Sequence, residues 1–249
     1  MMNFKIVYLD ETDSTNRWMK ENGEGEMVVV ADYQTAGKGC GQNSWESERG
    51  KNLLMSMLVH PKKVSARTQF IITQMVSVAL CNVLERYLLH PKPLLPGGGE
   101  HVVTIKWPND IYVGDKKICG VLIENRLHGR RIADCVVGIG LNVNQTEFLS
   151  DAPNPVSLKQ LTGHDIDRDE LLQACLEEAQ RASENKGIHL DYMKRLYRRE
   201  GLHPFSAGGQ QFMARVAGVN DDGRLMLQDE HGVAHLYAFK EVQFIIENS

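Results

Sequence analysis

No apolar run in this 249-residue chain approaches the ~18 residues that a membrane-spanning helix needs. Its first residues, Met1-Met2-Asn3-Phe4-Lys5-Ile6-Val7, lack the charged, apolar and small-residue order of a secretory signal and lead straight into a strand-like run. A soluble, cytoplasmic protein is therefore the expectation. Cysteines are few and odd in number: Cys40, Cys81, Cys119, Cys135 and Cys175 form no Cys-x-x-Cys pair and lie near no clustered histidines, which points away from a disulfide framework or a zinc site. The net charge of -4 is too mild to attract nucleic acid or a membrane surface, so an anionic ligand must be held by a local group of cations. A Gly-x-Gly-x-x-Gly opening a helix is missing, as are the Walker pattern, internal repeats and low-complexity tracts.

What is present is ordinary globular composition, with 42% hydrophobic and 24% charged residues, in a chain long enough for one large domain with or without a small one. Lys5 to Leu9 reads as a strand, and Asp13-Ser14-Thr15-Asn16 offers several N-caps for a helix through Lys20. Met27 to Asp32 is a β-branched strand ended by a glycine-rich loop, Gln34 to Gln42, and Asn52 to His60 is the strand beyond it. From Ser65 to about Leu89 apolar residues recur at helical spacing. Pro91, Pro93 and Pro96 end that helix, and Pro96-Gly97-Gly98-Gly99 reads as a flexible tip. Val102 to Lys106, Asp110 to Val113, Lys117 to Glu124 and Ile132 to Ile139 follow as strands with short links, which implies a substantially antiparallel sheet. Asp167-Arg168-Asp169-Glu170 has the look of a capping box opening a helix to about Lys186, and Leu190 to Arg199 reads as another. Beyond Gly201-Leu202-His203-Pro204 the pattern changes to short strands, Gln211 to Val219, Arg224 to Gln228 and Val233 to Ala238. They make a small β-barrel-like appendix expected to pack on the main domain.

Four segments bear residues suited to chemistry. Gln34 to Gln42 has three glycines at alternate positions, which let backbone N–H groups turn toward a ligand, and Lys38 adds a positive charge; a plain surface turn is the equal alternative. Lys106-Trp107-Pro108-Asn109-Asp110 puts a cation, a large aromatic, a rigid proline and two oxygen-bearing side chains between two strands. Taken singly, Asn109 and Asp110 suit an Asx-type turn; together the five residues exceed what a structural loop needs. Lys116 and Lys117 follow a Gly114-Asp115 turn, one solvated and the other along the sheet face. Gly138-Ile139-Gly140-Leu141-Asn142-Val143-Asn144 closes a strand with glycines that permit close approach, or a glycine bulge and a turn.

In order and spacing these segments resemble the biotin protein ligases, from Asp10 to the end of the chain. Asp13 to Asn16 looks like the family's Ser-Thr-Asn entry, Gln34 to Trp45 like its biotin loop, Lys106 to Asp110 like its Lys-Trp-Pro-Asn-Asp signature, Lys117 to Glu124 like the strand bearing its catalytic lysine, and Gly138 to Asn142 like its Gly-x-Gly-x-Asn segment. The resemblance implies an α+β fold related to class II aminoacyl-tRNA synthetases, with a mixed sheet backed by helices over residues 1–201 and a small SH3-like β-barrel over 202–249. It implies ATP, Mg2+ and biotin as ligands, biotinyl adenylate as intermediate, and a biotin carboxyl carrier domain of a carboxylase as partner. A homodimer or a monomer is open. By position, Ser14, Thr15, Asn16, Gln34, Gly37, Lys38, Lys117, Gly120, Gly138 and Gly140 would hold biotin. Lys38, Cys40, Trp45, Lys106, Asn109, Asp110 and Asn142 would hold ATP, with Asp110 at magnesium and Lys117, Lys106 and Asp110 as catalytic residues. Phe148, in the unpatterned stretch Asn144 to Val156, is a candidate cap for adenine.

The family's loop reads Gly-Arg-Gly-Arg or Gly-Arg-Gly-Gln where this chain has Gly37-Lys38-Gly39-Cys40. A lysine lacks the planar, bidentate phosphate contact of arginine, so weaker retention of the adenylate is expected. About nine residues precede the first motif, so no DNA-binding domain or nucleic-acid partner is expected. A lipoate ligase would carry paired arginines before a glycine triplet, and none precede Pro96 to Gly99.

Overall fold

In the computed structural model, which describes residues 4–41, 43–61, 64–89, 102–149 and 154–246, the amino-terminal half builds a seven-stranded sheet. β1 (Lys5–Leu9) pairs in parallel with β2 (Met27–Ala31), and α1 (Thr15–Asn22) makes the crossover. β3 (Leu53–Val59) adds antiparallel to β2; α2 (Phe70–Leu89) then leads to β4 (Val103–Lys106), β5 (Asp110–Val113), β6 (Lys116–His128) and β7 (Arg131–Leu141). The spatial order is β1-β2-β3-β7-β6-β5-β4. The sheet is mixed, and β1 with β2 is its one parallel pair among the described residues.

β2 is apolar at every position because both its faces are covered. Met27 and Val29 pack with Met19 of α1, Leu58 and Val136, whereas Val28 and Val30 join the main core under α2. α2 carries the buried Val76, Val78, Ala79, Leu80, Cys81, Val83 and Leu84, and packs against the sheet, α3 (Leu158–Thr162), α4 (Arg168–Glu184) and α5 (Ile188–Lys194). The carboxyl-terminal strands are β8 (His203–Ala207), β9 (Gln210–Val219), β10 (Leu225–Asp229), β11 (Ala234–Tyr237) and β12 (Val242–Phe244), in a five-stranded antiparallel sheet of order β11-β10-β9-β8-β12. The α+β class follows, as the sequence implies.

Some boundaries move for local reasons. The long helix begins at Phe70 rather than Ser65, because Ser65 bridges Arg131 at the sheet and Thr68 closes a turn back onto Ser65. α5 stops at Lys194 instead of continuing to Arg199: the chain turns to lie along β4, with Ile105 N donating to Arg195 O at 2.7 Å and Tyr197 N donating to Ile105 O at 2.9 Å. β6 and β7 run longer than expected, out to the pair His128 and Arg131. The Asp167 side chain accepts from Asp169 N and Glu170 N, but the reciprocal capping box is formed at Ser157 and Gln160 on α3, a helix the periodicity does not reveal. The expected tip at Pro96 to Gly99 and the prolines Pro91 and Pro93 lie outside the described residues.

Candidate active site

The fold gathers the chemistry-bearing segments around one cavity of about 610 Å³. One wall is the start of α1. Ser14 is the N-cap but makes no side-chain cap bond, so its hydroxyl is left on the cavity wall. Thr15 binds Gln34 Oε1 twice, through its backbone N at 2.8 Å and its Oγ1 at 3.0 Å. Asn16, only 4% exposed, donates to Glu124 Oε2 at 2.8 Å, and its Oδ1 accepts from Ser56 Oγ at 2.6 Å. Ser56 and Glu124 belong to this polar group; Ser56 is unmarked in its apolar strand, and Glu124 closes the Lys117 to Glu124 segment without being read as a site residue.

The floor is formed by glycines on neighbouring strands. Gly120 and Gly140 face each other in the β6–β7 register, and a Cβ at either would lie 2.7 Å and 2.5 Å from the Trp45 ring. A Cβ at Gly138 would fall 2.1 Å from Asn16 Oδ1. All three positions therefore exclude a side chain for a definite steric reason, which at Gly138 and Gly140 is stronger than the bulge-and-turn alternative. The Trp45 Nε1 is buried against Gly140 without a hydrogen-bond partner.

The glycine-rich loop is a small hairpin. Gly39 N donates to Asn43 O at 2.7 Å and Trp45 N to Gly37 O at 2.9 Å, with Lys38 bridged to Ser44. These N–H groups are consumed by the hairpin and do not turn to a ligand. Gly37 is buried beneath it, since a Cβ there would meet Trp45 O at 2.7 Å, and is not among the lining residues; Lys38, Gly39 and Cys40 are.

Lys106 to Asp110 is clamped from all sides. The Trp107–Pro108 peptide is cis, Trp107 Nε1 donates to Gly223 O at 2.9 Å, Tyr192 OH to Pro108 O at 2.7 Å, and Asn109 Nδ2 to Val121 O at 3.2 Å. Lys106 and Asp110 are register partners at the ends of this hairpin. Asp110 Oδ2 pairs with Lys117 Nζ at 2.8 Å, and Lys117 Nζ also stands 5.7 Å from the Trp45 ring centre. Lys106 lies over the rings of Tyr112 and Phe244, and burial is the main cause that lowers its pKa below the ordinary lysine value, with Asp110 opposing the shift and Lys117 and Arg198 adding to it.

Four lysines, Lys38, Lys106, Lys117 and Lys240, line the cavity with Asp110 as the one carboxylate among the lining residues. That local excess of cations on a chain of net charge -4 is what an anionic ligand requires.

A profile of the biotin/lipoate A/B protein ligase family matches residues 8–142, more than half the chain. The chain belongs to that family. Among its relatives is a bifunctional ligase/repressor BirA of Bacillus subtilis, 28% identical, with 96% of this chain and 74% of that protein covered. A biotin--[acetyl-CoA-carboxylase] ligase of Paracoccus denitrificans is 29% identical over 66% of this chain and 67% of that protein. Among solved structures, the biotin protein ligase from Aquifex aeolicus in complex with biotin and ATP aligns with a TM-score of 0.77 at 25% identity, covering 96% of this chain and 99% of that one.

Within this family member, Asn142 and Phe148 stand apart from the cavity. Asn142 is 3% exposed, donates from Nδ2 to Val156 O at 3.1 Å, and is absent from the lining, so its geometry suits positioning of the 154–157 segment and not a nucleotide contact. The carboxyl-terminal sheet contributes what sequence reading missed: Phe239, Lys240, Val242, Gln243 and Phe244 all reach the cavity, and Phe239 meets Trp107 edge-on at 5.9 Å. No helix among the described residues is long and apolar enough to cross a membrane.

Proposed function

We propose that this chain is an ATP-dependent biotin protein ligase, which joins biotin to AMP with release of pyrophosphate and then passes the biotinyl group to a lysine of a biotin carboxyl carrier domain. The observation that carries this reading is the convergence of Lys38, Lys106 and Lys117 on the same cavity as the Thr15–Gln34 pair and the Gly120–Gly140 floor. An uncharged polar head group fits beside the Thr15–Gln34 pair, with the Trp45 ring lying on the glycine floor, and a polyphosphate fits among the lysines.

The first step brings a carboxylate against a triphosphate, and two unit charges ~4 Å apart repel by about 4 kcal/mol at an effective dielectric of 20. Lys117 would meet the biotin carboxylate and the α-phosphate, and Lys38 and Lys106 the phosphate chain, where charge gathers as the pyrophosphate leaves. Ser14, Thr15 and Gln34 would face the ureido ring, held in place by Asn16 and Gly138. Trp45 would shield the acyl phosphate from water. Asp110 and Asn109 fit a magnesium ion held mainly by phosphate oxygens, a cation that keeps most of its shell as water and phosphate and needs one or two protein ligands. When bound, such an ion neutralises part of the triphosphate charge. In the second step the carrier amine must be neutral to attack the acyl carbon of the mixed anhydride, expelling AMP; Asp110 would orient or deprotonate that amine, with magnesium binding as its competing role.

In this reading residues 1–201 form the catalytic unit and residues 202–249 an SH3-like unit that closes one side of the cavity. A cytoplasmic setting, with ATP and reduced thiols, suits the five free cysteines. A nucleic-acid partner has no support in the charge of the chain, and self-association as a homodimer is an expectation that light scattering tests. Exchange of labelled pyrophosphate into ATP should require biotin and be unmoved by lipoate; exchange driven by lipoate instead would replace biotin in this reading.

Lys106 gives the exchange a pH signature. A lysine is cationic below its pKa, and burial lowers that value here, so the useful charge is lost at a lower pH than for an exposed lysine. The alkaline limb of the exchange rate is expected below the ordinary lysine range. In Lys106→Arg it should move upward and out of reach, because arginine stays protonated; a limb that keeps its position in that variant would show that another group titrates.

A further inference from the structure

Lys240 stands out on the cavity wall by its backbone. It has φ 71°, one of three described non-glycine residues at positive φ, a conformation that glycine adopts at lower cost. The turn around it does not need a lysine. Ala238 O accepts from Glu241 N at 3.1 Å and the Glu241 carboxylate accepts from Ala238 N at 2.6 Å, so residues on either side close it. Phe239, the preceding residue, packs on Trp107 and fixes the turn against the catalytic half.

The side chain explains the position. A Cβ at Gly41 would lie 2.8 Å from Lys240 Nζ, so the ammonium rests against the backbone at the tip of the glycine-rich hairpin that carries Lys38 and Cys40. Asp110, the one carboxylate among the lining residues, pairs with Lys117, and the neighbouring Glu241 carboxylate accepts from Ala238 N. Lys240 thus supplies a cation from the second sheet to a loop whose own cation, Lys38, lacks a bidentate fork.

We infer that Lys240 binds the part of the ATP triphosphate remote from the reacting carboxylate. The inference rests on the ligase reading. Lys117 already serves the reacting end beside Asp110 and Trp45, so Lys240 at the hairpin tip is left to the β- and γ-phosphates.

The test separates a phosphate contact from a structural role. Lys240→Gly suits the positive φ, and Lys240→Gln keeps the strain without the charge. Both are expected to raise the KM for ATP by about tenfold, the size of one charge-assisted hydrogen bond, while leaving the calorimetric Kd for biotin within twofold. Lys240→Arg should restore most of the loss. Unchanged KM for ATP in both variants, with the unaltered protein active, would overturn the Lys240 assignment and leave the ligase reading standing. Equal losses for ATP and biotin would also overturn it, as a packing defect. If the unaltered protein shows no biotin-dependent exchange, the ligase reading fails and this assignment fails with it.

Discussion

Lys117→Met is expected to lower biotin-dependent pyrophosphate exchange by about 10²–10³-fold, the loss that follows removal of one preorganised donor aimed at developing charge. The substitution keeps the volume of the stem and removes only the ammonium, which pairs with Asp110 at 2.8 Å and stands over the Trp45 ring. Two effects then add. The cation proposed to stand between biotin carboxylate and α-phosphate is gone, and the Asp110 carboxylate, left without its partner, adds negative charge to the proposed meeting place of two anions. The fold should survive, because both side chains are about one-quarter exposed and water can solvate Asp110. A melting temperature equal to that of the unaltered protein with exchange reduced less than tenfold would remove Lys117 from the catalytic role.

Gly138→Ala is the second large effect, and it acts through Asn16. The new methyl would sit 2.1 Å from Asn16 Oδ1, and both residues are buried, so Asn16 has to leave. Its departure breaks the bonds to Ser56 and Glu124; Glu124 keeps Lys20 and solvent and Ser56 keeps Thr15 Oγ1, so the main cost, about 1–3 kcal/mol, is the buried Asn16 amide displaced from its partners. α1 carries Thr15 on the same turn, so the Thr15–Gln34 pair shifts with it. The expected result is a melting temperature lower by roughly 2–12 °C, given ~2–4 °C per kcal/mol in a chain of this size, together with a biotin Kd raised more than about 10²-fold. A variant that binds biotin normally would show that the α1 start is not part of the biotin site.

Much of the architecture was legible because local pattern and tertiary demand agree. The β-branched run at Met27 is buried on both faces, and the Lys106 to Asp110 stretch is as unusual in space as in sequence, its residues being tied to α5, to β6 and to the turn at Gly223. The failures have identifiable physics. α3 was hidden by its five-residue length, although Ser157 and Gln160 spell a capping box that a closer reading of starts would find. The strand His203–Ala207 is not read from the sequence because Pro204, within it, masks a strand of the smaller sheet. Ser56, Glu124 and the Phe239 to Phe244 segment join the site only through contacts far apart in sequence, which no spacing rule can supply. Asn142 bears the right side chain in the right motif but spends it on Val156 O.

The central claim is that this cavity activates biotin and delivers it to a protein. Its most direct test is intact-mass spectrometry of a biotin carboxyl carrier domain incubated with the protein, ATP, magnesium and biotin. The predicted result is a mass gain of one biotinyl group on a single lysine, dependent on ATP and lost with Lys117→Met. An unmodified carrier, under conditions where an established biotin ligase modifies the same domain, would contradict it.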